Sequence, residues 1–326
     1  MIDATKVSIH QALYQDPSGH TTVYQGVYSP LHPCTLQPQP CLVAIKELSL
    51  PMQNGQFPSA ILQEITIQMR LEDCENICKC YGYFERLGKV CIVTELLARD
   101  LESDMKTRAG QRYAEEQLLR WLLQVLSALL YAQRKVLSRQ SIAHRDLKPQ
   151  NLLLTSAGKV KLVDFGSGAV TDGGAHQLTG TPLYMSPEVL PVLAEFQKTG
   201  VLPQVTGMDC YKADIYSLGV SFLHLALLEP PIRLLTNDRP SAISFYLSTI
   251  QSLYPYMHYL LTNMLHTEPS ARPDFQALHS YVAALFKAEE PDRTQEETDY
   301  FSSSASTQAS ELSFPHTQTA PQLYNL

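Results

Sequence analysis

The feature that most constrains this chain is a change of texture at about Glu95. Before it, apolar residues come in short runs rich in β-branched and aromatic side chains, the composition of a pleated, half-buried surface. Val7, Ile9 and Leu13 alternate loosely, and Thr21–Tyr28 (TTVYQGVY), Leu42–Lys46 (LVAIK), Gly82–Glu85 and Val90–Glu95 follow. A loop carrying Pro30, Pro33, Pro38 and Pro40 separates the second run from the third, because proline cannot donate to a sheet ladder. One helix is expected among these strands, over Phe57–Leu71, with Ile61, Ile65 and Met69 on one face. After Glu95 the spacing becomes helical. Leu118, Leu122, Val125, Leu126 and Leu129 predict a core helix within Glu115–Leu137, and Tyr211–Leu228 and Ile243–Leu265 read as two more. Strands first and helices second predicts an α+β architecture in two lobes.

The 326 residues are 44% hydrophobic and 17% charged, which supplies enough apolar material for a core. A net charge of -7 argues against nucleic acid as a general partner. No apolar run reaches the roughly 18–20 residues of a membrane helix; the best candidate, Trp121–Ala132, is interrupted by Gln124 and Ser127. The start (Met1, Asp3, Lys6) lacks the pattern of a secretion signal. Seven cysteines, an odd number, suit reduced thiols in the cytoplasm or nucleus better than a disulfide framework. Cys74, Cys78 and Cys80 lack the second pair that a zinc site needs. From 287 to 326 the chain is first acidic and then rich in Ser and Thr, the composition of a disordered tail that could recruit regulators.

The chemistry is concentrated in His144–Asn151 (HRDLKPQN) and in Asp164-Phe165-Gly166 downstream of it. Five residue types at fixed spacing are rare by chance. On these strings the chain resembles the eukaryotic-type protein kinases of the serine/threonine branch, over about Val7–Phe286. Gly180–Glu188 (GTPLYMSPE) is similar to the end of the activation segment in NIMA-related kinases. The resemblance implies the two-lobed kinase fold, with an N-lobe over about 7–94, a hinge at 95–98 and a C-lobe over 99–286. It also implies transfer of the γ-phosphate of Mg-ATP to a Ser or Thr hydroxyl of a protein substrate, with no nucleic-acid or membrane partner.

Residue by residue, Asp146 would take the hydroxyl proton and Lys148 would neutralise charge on the phosphate in transit. Asn151 and Asp164 would hold Mg²⁺, for which carboxylate and amide oxygens are suited hard ligands. Lys46, closing Val43–Lys46 (VAIK), would grip the α- and β-phosphates, with Glu64 as its partner in preference to Glu72 and Glu75 near the helix end. Adenine would bond the backbone of Glu95 and Leu97, beside Thr94 as gatekeeper, and Val23, Ala44 and Leu153 would enclose the purine. Glu188 and Arg272 would form a buried structural pair, and Asp214 would brace the catalytic loop. Arg145 points to control by phosphorylation, with Thr179 favoured over Thr171 as acceptor and Thr181 positioning Asp146 and Lys148.

Three departures stand out. The family's phosphate-loop glycines would fall at Asp16, Ser18 and Thr21, yet DPSGHTTV offers Gly19 alone, places Pro17 where an N–H donor is wanted and adds the charge of Asp16. Weakened ATP binding is the expectation. Gln68 stands where the family has an apolar residue, with Met69 as a substitute should the helix register shift. Leu190–Asp209 reads as a surface insertion. An active kinase and a pseudokinase scaffold are therefore the two competing readings, with a small-molecule phosphotransferase behind both.

Overall fold

The computed structural model describes residues 1–17, 19–30, 40–49, 58–135, 141–171, 179–201, 208–236 and 238–289. The first lobe is a sheet of five antiparallel strands, β1 (Val7–Gln15), β2 (Thr21–Tyr28), β3 (Cys41–Leu48), β4 (Cys80–Arg86) and β5 (Lys89–Glu95), with helix α1 (Ser59–Arg70) between β3 and β4. Their order across the sheet is β1-β2-β3-β5-β4. Alternation assigns the faces. Val43 and Ile45 of β3 pack with Cys91 and Val93 of β5 and Phe84 on one side. Leu48, Val90 and Ile92 pack on the other side with Ile61 and Ile65 of α1. Ala44, Lys46 and Thr94 have the parity of that second face, with Ala44 opposite Thr94 and Lys46 opposite Ile92. The residues expected to line a nucleotide cleft thus share one side of the sheet.

The N-terminal residues join this lobe ahead of Val7: Ile2 N donates to Tyr83 O, and Lys6 O accepts from Ser29 N. In α1 the buried stripe is Ile61, Glu64, Ile65, Ile67 and Gln68, continued by Leu71 at its C-cap, while Met69 is 38% exposed. The register does not shift to bring Met69 inward, so Gln68 itself faces the core. Phe57, expected to start the helix, lies outside the described residues.

The second lobe follows a short strand β6 (Arg99–Asp100). It contains α2 (Leu101–Thr107), α3 (Glu115–Arg134), β7 (Ser141–Ala143), β8 (Leu152–Leu154), β9 (Val160–Leu162) and β10 (Ala169–Thr171), then α4 (Leu190–Thr199), α5 (Cys210–Leu227), α6 (Arg239–Ile250), α7 (Pro255–Met264) and α8 (Phe275–Glu289). β6, β8 and β9 form one small sheet, and β7 pairs with β10. Helix α5 is buried around its whole circumference from Asp214 to Ala226, which marks it as the axis of the lobe. α3 buries the five apolar positions expected of it.

The helix expected over Ile243–Leu265 is two helices. Pro255 lacks an N–H and its ring clashes with the preceding turn, so α6 ends near Ile250 and Pro255 opens α7 at its first position. The stretch read as an insertion contains α4, which ends on Gly200 in the left-handed conformation at φ 68°. Val192 of α4 packs with Met208 against Ala143 and Cys210. α8 continues to Glu289, so residues 287–289, expected in the tail, are its last turn; 290–326 lie outside the described residues. Among the described residues no helix is long and apolar enough to cross a membrane.

Candidate active site

The loop between β7 and β8 carries His144 to Asn151. Asp214, buried at the start of α5, fixes its shape: Oδ2 accepts from His144 N at 2.8 Å and Oδ1 from Arg145 N at 2.7 Å. Burial pushes the Asp214 carboxyl upward, and the two amides oppose this. Arg145 occupies the left-handed region at φ 66°, a strained conformation for a residue with a side chain, and its Nε donates to Ser167 O at 2.7 Å. The next residue, Asp146, therefore projects from an over-determined turn.

Donors converge on the Asp146 carboxylate. Lys148 Nζ lies 2.6 Å from Oδ2, Thr181 Oγ1 donates to Oδ1 at 2.8 Å, and Lys148 also reaches Thr181 Oγ1 at 2.9 Å. Asn151 uses its amide nitrogen on Asp146 O and Oδ2, at 2.7 and 3.3 Å, which leaves the amide oxygen outside those bonds. Thr181 reaches this site because Gly180 precedes it at φ 109°; a Cβ there would stand 2.7 Å from Arg145 O.

Across the cleft, Lys46 Nζ lies 2.8 Å from Glu64 Oε1 and 3.0 Å from Asp164 Oδ1. Burial works against the ammonium, but the two carboxylates outweigh it and raise the Lys46 pKa above its ordinary value. Lys46 in turn outweighs burial at Asp164 and holds that carboxyl low. Asp164 is also left-handed, at φ 63°, and its Oδ1 accepts from Gly166 N. Glu72 and Glu75 are not partners of Lys46; Glu75 pairs with Lys159 instead.

β5 runs out at Thr94 and Glu95. Glu95 N donates to Lys79 O, while its side chain accepts from Lys79 N at 2.7 Å and from Lys161 Nζ of β9 at 2.5 Å. Leu97 follows outside any helix or strand, and Ala98 N donates to Leu154 O. Val23 on β2 lies opposite Lys46, and Leu153 on β8 lies opposite Lys161, so the remaining enclosing residues come from both lobes. At the front, Asp16 N donates to Thr21 O and Gly19 N to Asp16 O, with Gly19 at φ 72°. The turn thus closes on itself with its own amides; Ser18 lies outside the described residues.

Glu188 and Arg272 form a bidentate pair at 2.7 and 2.8 Å. Arg272 is 1% exposed, and it also donates to His266 O, Lys212 O and Thr267 O. Thr179 Oγ1 donates to Ser167 Oγ at 2.7 Å, beside the contact of Arg145 with Ser167. Thr171 ends β10. Cys78 and Cys80 are buried, which pushes their thiols up to about 12 and about 11. Three residues that sequence reasoning passed over also belong here. Lys161 anchors Glu95, His224 meets Tyr184 OH through Nδ1 at 3.0 Å, and Arg239 reaches the carbonyls of Pro182 and Met185. Each stands alone in sequence without a motif.

A five-stranded lobe and a helical lobe, with a lysine held by two carboxylates from one side and an oriented aspartate on the other, define a two-lobed kinase. The family model described as "Protein kinase domain" matches residues 20–282, and the chain belongs to that family. It is 28% identical over 247 residues to "Serine/threonine-protein kinase Nek6" of Oryza sativa subsp. japonica, covering 73% of this chain and 42% of the relative. It is 28% identical over 263 residues to "Dual specificity mitogen-activated protein kinase kinase mek-1" of Caenorhabditis elegans, covering 76% and 69%. To the human "Dual specificity mitogen-activated protein kinase kinase 7" it is 30% identical over 200 residues, covering 60% and 44%. The chain thus spans less than half of two of these relatives and about two thirds of the third.

Proposed function

We propose that the chain is an active serine/threonine protein kinase that transfers the γ-phosphate of ATP to a protein hydroxyl. The observation that carries this is the simultaneous contact of Lys46 with Glu64 and Asp164, 2.8 and 3.0 Å away. It draws α1, β3 and the Asp164 turn into the arrangement a triphosphate needs. The donor set fits the nucleotide: an ammonium on the sheet side for phosphate oxygens, and hinge backbone at Glu95 and Leu97 for adenine. It fits Mg²⁺ as well, through the Asp164 carboxylate and the amide oxygen of Asn151, both hard donors. Bound there, the metal would neutralise charge on the phosphates.

The chain's own residues would do the rest. Asp146, aimed by Thr181 and Asn151, accepts the proton of the incoming hydroxyl. Lys148, already touching Asp146 and Thr181, offsets charge on the phosphoryl group as it passes. Lys148 and Thr181 together support a Ser or Thr acceptor, although two of the relatives are named as dual-specificity enzymes. Incubation with Mg-ATP and a generic acceptor protein, beside an Asp146→Asn control, tests the activity. Transfer should fall by about 10²–10⁴-fold in the control, and equal signal in both would defeat the proposal. Acid hydrolysis of the product identifies the acceptor, with phosphoserine or phosphothreonine expected and phosphotyrosine contrary.

A second reading, a pseudokinase scaffold, is favoured by one observation: the turn after β1 uses the amides of Asp16 and Gly19 internally and holds Pro17 between them. Nucleotide binding so weak that Mg-ATP leaves the thermal midpoint unmoved at millimolar concentration would favour it.

A further inference from the structure

Beneath the strip Pro182–Met185 lies a cation that the reaction described above does not use. Arg239 opens α6 and is 6% exposed. Its Nη1 donates to Met185 O at 2.6 Å and its Nη2 to Pro182 O at 3.3 Å, with Tyr216 OH 3.5 Å from Nη1. Among the described residues no carboxylate lies within ion-pairing distance of it, and its Nε finds no acceptor. A charge taken out of water is costly unless something compensates it. Arg272, in the same lobe, meets that requirement with the bidentate Glu188. Arg239 meets it with two carbonyl dipoles and the longer contact to Tyr216 OH, and both carbonyls belong to one four-residue segment.

That segment starts one residue after Thr181, whose hydroxyl touches Asp146 and Lys148. The strip is therefore an immediate neighbour of any polypeptide that presents its hydroxyl to Asp146. Ser217 Oγ holds a third carbonyl of the strip, Tyr184 O, at 2.8 Å. Arg272 ties several elements together; Arg239 acts on this strip. We propose that Arg239 is the positioning residue that holds the platform Pro182–Met185 in line with Asp146 for the acceptor polypeptide. The inference rests on the kinase reading for its purpose, but not for its test.

The test compares full-length wild type with Arg239→Lys and Arg239→Met. The first readout is amide hydrogen exchange at Tyr184 and Met185, whose N–H groups donate to Thr181 O and Pro182 O. Exchange there should accelerate roughly tenfold in R239M and less in R239K, with β3 and β5 unchanged, as expected for local opening after loss of a charge-assisted bond. The second is a kinetic split: KM for a Ser/Thr peptide should rise roughly tenfold while KM for ATP holds. Unchanged exchange in the platform overturns the proposal, as does acceleration spread evenly over both lobes, or a joint rise of both KM values. Should R239M fail to fold, R239K carries the same comparison. A wild type that transfers no phosphate defeats the kinase reading, and the exchange data still decide the role of Arg239.

Discussion

His224 is a histidine that the fold keeps neutral. Burial lowers its pKa from 6.5 to about 4 while Nδ1 meets Tyr184 OH. Between these values the unfolded chain binds a proton that the folded chain refuses, so stability is lost as pH falls from about 6.5 towards 4 and changes no further below that. The full effect is on the order of 3 kcal/mol, since each tenfold change in proton affinity is worth about 1.4 kcal/mol. Urea unfolding of wild type and His224→Gln across this interval should show the wild type losing stability relative to the variant as acid is added. A gap that stays constant from pH 7 to 4 would exclude the effect. The Glu188–Arg272 pair makes a second prediction at this scale. Glu188→Ala strands a guanidinium that is 1% exposed, and the expected cost is about 3–5 kcal/mol in the same measurement. A loss under about 1 kcal/mol would mean that the carbonyls of His266, Lys212 and Thr267 already satisfy Arg272.

At the scale of elements, what could be read in the sequence depended on how locally each cause acts. HRDLKPQN was legible because Asp146, Lys148 and Asn151 sit within one loop and touch one another. The strands of the first lobe were legible because alternation is a property of neighbours. Pro255 was equally visible, yet the apolar spacing on both sides of it suggested one helix, and the local rule against proline inside a helix should have prevailed. α4 was missed because its helical residues are exposed or half-buried and present no fully buried stripe. Arg239, Lys161 and His224 could not be read at all, since their partners lie 54, 66 and 40 residues away. The turn after β1 was legible as a departure from the glycine pattern, and two of its amides are engaged within the turn. Asp16→Gly removes a negative charge from the mouth of the cleft and frees the backbone, so ATP should bind roughly fivefold more tightly by calorimetry, about 1 kcal/mol. An unchanged or weaker affinity would show that the turn does not face the phosphates.

At the scale of the molecule, the lobes are joined at the back of the cleft by more than a peptide. Between α1 and β4, Asn76 O accepts from Leu162 N, Cys78 N donates to Leu162 O, and Asn76 Nδ2 reaches Val160 O, so the first lobe is stitched to β9 by two backbone bonds and one side chain. Beside that seam, Lys161 of β9 grips Glu95 at the end of β5, with the two side chains 18% and 23% exposed. A partly buried pair is less screened by solvent than a surface one, and it lies where β5 passes into the connection to β6. If the seam is the pivot, this pair sets how far the lobes can part. Lys161→Met and Glu95→Gln should each raise KM for ATP several-fold, and the double variant little further, because either change alone frees the end of β5 from β9. The coupling in a thermal double-mutant cycle should be about 1–2 kcal/mol. Strict additivity, in KM and in stability alike, would reduce the pair to a passive surface contact and leave closure to the backbone seam and the other contacts between the lobes.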